Sequence, residues 1–72
     1  MPFNKNTEEE NFLIAKDTVI RMQAASVSMI QRRLRIGYMS AARIMDRLEG
    51  EGVVSPYVDG VPRTVLIKET KE

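Results

Sequence analysis

Ala41, Ile44, Met45 and Leu48 fall at i, i+3, i+4 and i+7, the spacing of one buried helix face. The stripe predicts a helix from about Tyr38 to Glu49, entered through Gly37 and closed by the Gly50-Glu51-Gly52 punctuation. The face opposite the stripe is centred on Met39, Arg43, Asp46 and Gly50. Immediately upstream, Gln31-Arg32-Arg33-Leu34-Arg35 reads as a short basic helix. Two helices joined at a glycine, with a basic approach and an outward arginine, form the pattern of a helix-turn-helix that reads DNA.

The flanks extend the pattern. Thr7 followed by Glu10 fits a capping box, with Glu8, Glu9 and Glu10 in the first turn to complement the helix dipole. From there to about Gln23, Phe12, Ala15, Val19 and Met22 make one apolar stripe, widened by Leu13 and Ile20. Ala25-Ser26-Val27 is an extended link or a single short strand, and Ser28 with Gln31 suggests a second capping box opening a helix of about eight residues. Val27, Ile30 and Leu34 point inward from that helix, and Gly37 is expected to supply the left-handed conformation that ends it. Beyond the third helix, Val53-Val54 starts one strand and Val61 to Ile67 gives another. Pro56, Asp59-Gly60 and Pro62 supply the turn chemistry between them. Pro62 is expected at the edge or start of its strand, since it cannot donate to a ladder. The expected fold is mainly α with a small β hairpin: a winged helix-turn-helix of three helices plus a two- or three-stranded wing. Its expected extent is residues 8–68, with a flexible arm over 1–7 and a flexible tail over 69–72.

Composition removes whole classes of chemistry. The 72 residues include no Cys and no His, which excludes disulfides, thiol nucleophiles, zinc fingers and imidazole acid–base catalysis. A chain of this size buries only roughly 60% of its unfolded surface, so its core must be efficient. No apolar run reaches the length of a membrane span and no signal-peptide core is present, so a soluble, cytoplasmic protein is the expectation. Net charge is +1, but the distribution is uneven: Arg21, Arg32, Arg33, Arg35, Arg43 and Arg47 face one acid, Asp46, leaving +5 in that stretch and −4 elsewhere. Arginine suits bidentate contact with phosphates and guanine edges better than lysine does. A charge run of this kind is equally compatible with a solvated face.

The run Ala25-Ser26-Val27-Ser28-Met29-Ile30-Gln31-Arg32-Arg33-Leu34-Arg35-Ile36-Gly37-Tyr38, followed by Ala41-Ala42-Arg43-Ile44-Met45, closely resembles the γ domain of FtsK/SpoIIIE-type bacterial DNA translocases. Pro62-Arg63-Thr64-Val65-Leu66-Ile67 is similar to that family's wing, and the resemblance covers roughly Phe12 to Ile67. It implies a winged helix that recognises short, oriented, G-rich chromosomal sequences and sets the direction of a motor during chromosome segregation and cell division. In FtsK it also implies contact with a tyrosine recombinase. By the same resemblance, Met39, Arg43 and Asp46 stand at the base-reading positions, on the face that the apolar periodicity leaves free. The chain departs from the family pattern at Met39, where Asn or Thr is usual, and at Ser40, where Arg is usual. Met39 offers a base no strong hydrogen bond but can pack on a thymine methyl, and Ser40 lacks the charge of a phosphate clamp.

Arg43 is the foremost base-contact candidate; its bland alternative is a solvated arginine paired at i+3 or i+4. Gln31, Arg32, Arg33, Arg35, Tyr38, Ser40, Arg47 and Arg63 are candidates for the DNA backbone. Tyr38 is as readily a partly buried ring, and Arg63 an edge-strand charge. Glu8, Glu9 and Glu10 are explained by the helix dipole rather than by catalysis. No Gly-Lys-Ser/Thr phosphate loop is present, so no ATP hydrolysis and no other enzymatic activity is expected, and no cofactor or metal. Expected partners are double-stranded DNA and, through the resemblance, a tyrosine recombinase or the translocase motor. The alternatives are a protein-docking module or a stand-alone DNA-binding regulator, and the chain reads equally as a small protein or as a piece of a larger translocase.

Overall fold

The computed structural model describes residues 5–68 and holds three helices: α1 over Glu8–Met22, α2 over Val27–Leu34 and α3 over Tyr38–Gly50. The expected arm over 1–7 and tail over 69–72 fall largely outside the described residues. α1 starts as its sequence dictates. The Glu10 amide donates to Thr7 Oγ1 at 3.1 Å and the Thr7 amide donates to Glu10 Oε1 at 2.8 Å, a complete capping box. The helix ends at Gln23, which takes the left-handed region at φ 53°. There its side-chain amide donates to the carbonyls of Ile20 (2.7 Å) and Ile67 (2.9 Å), tying the C-terminal segment to the end of α1.

α2 opens two residues earlier than expected. Ser26, not Ser28, is the N-cap, accepting from the Met29 amide at 3.2 Å, and Ser28 lies in the first turn with its hydroxyl 3.1 Å from that of Ser26. Local chemistry is degenerate here, because two serines two residues apart can each cap. The choice of Ser26 makes Val27 helical and half-buried against the core. The end of α2 also differs from expectation. Arg35, not Gly37, holds the left-handed conformation, at φ 56° and ψ 50°. Gly37 is extended (φ −75°, ψ 170°) and serves as the N-cap of α3 without a side-chain bond. Ile36 lies between them, packed on the core.

All four members of the α3 stripe are buried, and they meet Phe12, Ala15 and Val19 from α1 and Ile30 and Leu34 from α2. Val53 and Val54 close the core from below α3. Two α1 residues assigned to the stripe are outside it: Met22 is 48% exposed and Leu13 56%. Val19 is the last buried position of α1, and the chain turns away at Gln23 before Met22 reaches the core. Leu13 lies one residue past the face that Phe12 buries, on the solvent side.

No regular strand forms among the described residues after α3. Two isolated antiparallel bridges appear instead, Val54 with Val65 and Val58 with Val61, in one common register across an Asp59-Gly60 turn. The first is flanked by Ser55 N–H to the Thr64 carbonyl (2.9 Å) and Leu66 N–H to the Val53 carbonyl (2.8 Å); the second is closed by Val61 N–H to the Val58 carbonyl (3.0 Å). These bonds are out of phase. Continuing the ladder from Val54–Val65 requires a donor at Pro62, and continuing it from Val58–Val61 requires one at Pro56. Either continuation meets a proline, so the expected strands at Val53-Val54 and Val61 to Ile67 do not propagate.

Candidate nucleic-acid interface

The face of α3 opposite its buried stripe is open. Met39 is 67% exposed, and Arg43, Asp46 and Gly50 are exposed with it. The buried positions fix the rotation of the helix, so these residues lie on the side of α3 turned away from the core. Tyr38 is exposed in the first turn of α3, on the rotational side of Met45 rather than on that face, and Ser40 is half-buried on the flank of the face. The structure therefore brings Met39, Arg43 and Asp46 together on one uncovered surface.

The arginines divide into two groups by what holds them. Arg32, Arg33 and Arg35 are exposed at the C-terminal end of α2 and take part in no ion pair among the described residues. Gln31 is half-buried beside them. Arg32 and Arg33 occupy the last turn of α2, where its carbonyl dipole favours positive charge. Arg43 and Arg47 are instead engaged by α1. Arg43 Nε donates to Glu8 Oε2 at 3.0 Å, and Arg47 Nη1 donates to Glu9 Oε1 at 3.0 Å. Lys16 and Glu51 add a third pair at 3.1 Å, so the two helices are laced along a seam in which both advance in the same chain direction.

Arg47 is the more firmly held. Its guanidinium carbon lies 3.8 Å from the Phe12 ring centroid while the carboxylate of Glu9 holds Nη1. The hydrogen bond to Glu9 raises its pKa above the ordinary arginine value, against partial desolvation, with the charges of Glu9, Glu51 and Glu8 adding to the rise. The charge of Arg47 is thus fixed across the accessible pH range. Arg63 is also held: its side chain is 13% exposed, and Nη1 donates to Glu49 Oε1 (3.0 Å) and the Ser55 carbonyl (3.1 Å). The guanidinium carbon lies 5.7 Å from the Tyr57 ring centroid. In this arrangement Arg63 braces the C-terminal segment against α3 rather than standing free on its surface.

The sequence marks Glu8 and Glu9 only as dipole partners, whereas in the structure each also holds an arginine of α3. Partners 35 and 38 residues away leave no local signal; the bland alternative for Arg43, a solvated arginine paired at i+3 or i+4, gives way to a pair with a residue of another helix. Among the described residues no group of three or more His, Cys, Asp or Glu could hold a metal ion, and no helix is long and apolar enough to cross a membrane.

Comparison with known proteins assigns this arrangement to a family. The model of the Ftsk gamma domain matches residues 6–68. The chain belongs to the FtsK gamma domain family. It is 48% identical over 68 residues to the DNA translocase FtsK of Bacillus cereus, covering 94% of this chain and 9% of that protein. It is 53% identical over 57 residues to the DNA translocase SpoIIIE of Bacillus subtilis, covering 79% of this chain and 7% of that one. The translocase of Lactiplantibacillus plantarum is 49% identical over 68 residues, again 94% of this chain and 9% of the relative. The chain thus spans less than a tenth of the length of these relatives, and the match is to their gamma domain.

Proposed function

We infer that this gamma domain binds double-stranded DNA with sequence preference, laying α3 in the major groove and thereby orienting a translocase on G-rich chromosomal motifs. Met39, Arg43 and Asp46 face the bases in this reading. Arg32, Arg33 and Arg35 hold phosphates, joined by Gln31, Tyr38 and Ser40. The paired segment around the Asp59-Gly60 turn is the wing of a winged helix and lies on the flanking backbone, with Arg63 and Arg47 at the margins of the contact. The domain itself catalyses nothing, and with chromosomal DNA as its partner its place of action is the cytoplasm. A tyrosine recombinase and the translocase motor are its further partners in the same process.

The observation that carries this reading is the exposed α3 face together with three arginines at the end of α2, Arg32, Arg33 and Arg35, that form no ion pair among the described residues. An unpaired arginine cluster next to an uncovered helix face supplies both halves of recognition, phosphate positioning and base contact. Fluorescence anisotropy with a G-rich duplex and its shuffled counterpart, at two salt concentrations, tests it. Expected are tighter binding to the G-rich duplex and affinity that falls with salt. Arg43→Ala relaxes the sequence preference, at a cost of about 1–3 kcal/mol in discrimination. Absence of binding at low salt rejects the reading and leaves a protein-docking role standing.

A further inference from the structure

Arg43 is gripped at only one of its nitrogens. Nε donates to Glu8 Oε2 at 3.0 Å, and among the described residues Nη1 and Nη2 have no acceptor. A guanidinium is a rigid planar fork, so a carboxylate on Nε fixes the orientation of the plane while leaving the two terminal nitrogens side by side. Those two are the pair that matches O6 and N7 of a guanine approached end-on. Arg47 has the contrary arrangement: a terminal nitrogen is committed to Glu9 and the guanidinium carbon sits 3.8 Å from the Phe12 ring centroid.

The geometry points to Glu8 as a specificity-determining positioning residue of the DNA interface, acting through Arg43. This rests on the reading of α3 as the base-contacting helix. Two physical effects follow from the one contact. Glu8 restrains a long, rotamer-rich side chain before DNA arrives, so less freedom is lost on binding the right base. It also partly offsets the charge of Arg43 toward any phosphate, which lowers affinity for all sequences more than it weakens a base contact set by the geometry of two hydrogen bonds. Both effects widen the gap between specific and non-specific binding. The Glu8 and Arg43 side chains are 63% and 58% exposed, and exposed pairs add little to folding stability. The role is therefore visible in binding and nearly silent in melting.

Selection from a randomised duplex pool, run with the chain and with Glu8→Ala, Glu8→Gln and Arg43→Ala, tests the assignment. The parent chain is expected to enrich a motif from which Arg43→Ala loses one guanine position. Glu8→Ala should blur that same position, with the preference there falling roughly two- to fivefold. Its affinity for shuffled duplex should rise and its melting temperature should barely change. Glu8→Gln keeps an acceptor for Nε and loses the charge, so it should retain the position while binding shuffled duplex more tightly. A guanine position as sharp in Glu8→Ala as in the parent, or a uniform loss at every position, overturns the role of Glu8 with the DNA reading intact. A parent chain that enriches no motif overturns both.

Discussion

The guanidinium carbon of Arg47 lies over the ring of Phe12, 3.8 Å from its centroid, so a core residue of α1 and a surface residue of α3 form one contact. Phe12 is almost fully buried, and the arginine covers the edge of the core that the ring fills. Phe12→Leu should cost about 1–2 kcal/mol, read by thermal or urea unfolding. A planar cation on a ring is not replaced by an ammonium. Arg47→Lys should therefore lower the melting temperature in the parent and leave it unchanged in a Phe12→Leu background. Equal shifts in both backgrounds would remove the ring from the explanation.

Arg35 occupies a left-handed conformation that glycine adopts without strain. Arg35→Gly should raise stability by about 0.5–1 kcal/mol while weakening DNA binding and making its salt slope shallower by about 1. The opposed directions are the test. A variant that gains stability and keeps its salt slope would assign Arg35 no phosphate.

Gly37 does not need to be glycine for its backbone angles, and a Cβ built there meets nothing within 4 Å. It caps α3 with no side-chain bond. Gly37→Ser should supply that bond and restrict the unfolded chain, for a gain of about 0.5–1 kcal/mol and a rise in melting temperature of roughly 2–6 °C.

Arg63 and Arg32 should respond in opposite assays. Glu49→Ala deprives a nearly buried guanidinium of its carboxylate and should cost about 1–2 kcal/mol, with the amides of Ser55 and Leu66 losing hydrogen-exchange protection. Arg32→Ala, on an exposed side chain with no ion pair among the described residues, should melt as the parent does and reduce the salt slope of DNA binding by about 1. A salt slope unchanged in Arg32→Ala would remove it from the phosphate contacts.

Much of the helical frame was legible because its signals are local. The Thr7–Glu10 box and the four apolar positions of α3 are each complete within one or two turns, and each appears in the structure as read. The errors arise where two local solutions are nearly equal or where the deciding partner is distant. Ser26 and Ser28 offer the same hydroxyl, and which one caps α2 depends on whether Val27 packs on the core. Arg35 takes the conformation that glycine two residues later would have accepted more readily. Pro56 and Pro62 were visible, but their joint effect depends on hydrogen-bond phase, which only the pairing reveals. Nothing within a turn of Glu8 or Glu9 announces an arginine on another helix.

The attachment of Ile67 to Gln23 has a consequence for how the domain hangs on its polypeptide. Its two ends depart from opposite tips of α1, a rod of 15 residues and so roughly 22 Å long. The leading strand of chain emerges at Thr7, beside Glu8 and hence beside Arg43, whereas the trailing strand leaves from the far tip. In the proposed DNA complex, any neighbour joined through the leading side is delivered to the end of the molecule that carries Arg43, and a short linker there would set the angle at which that neighbour meets the duplex.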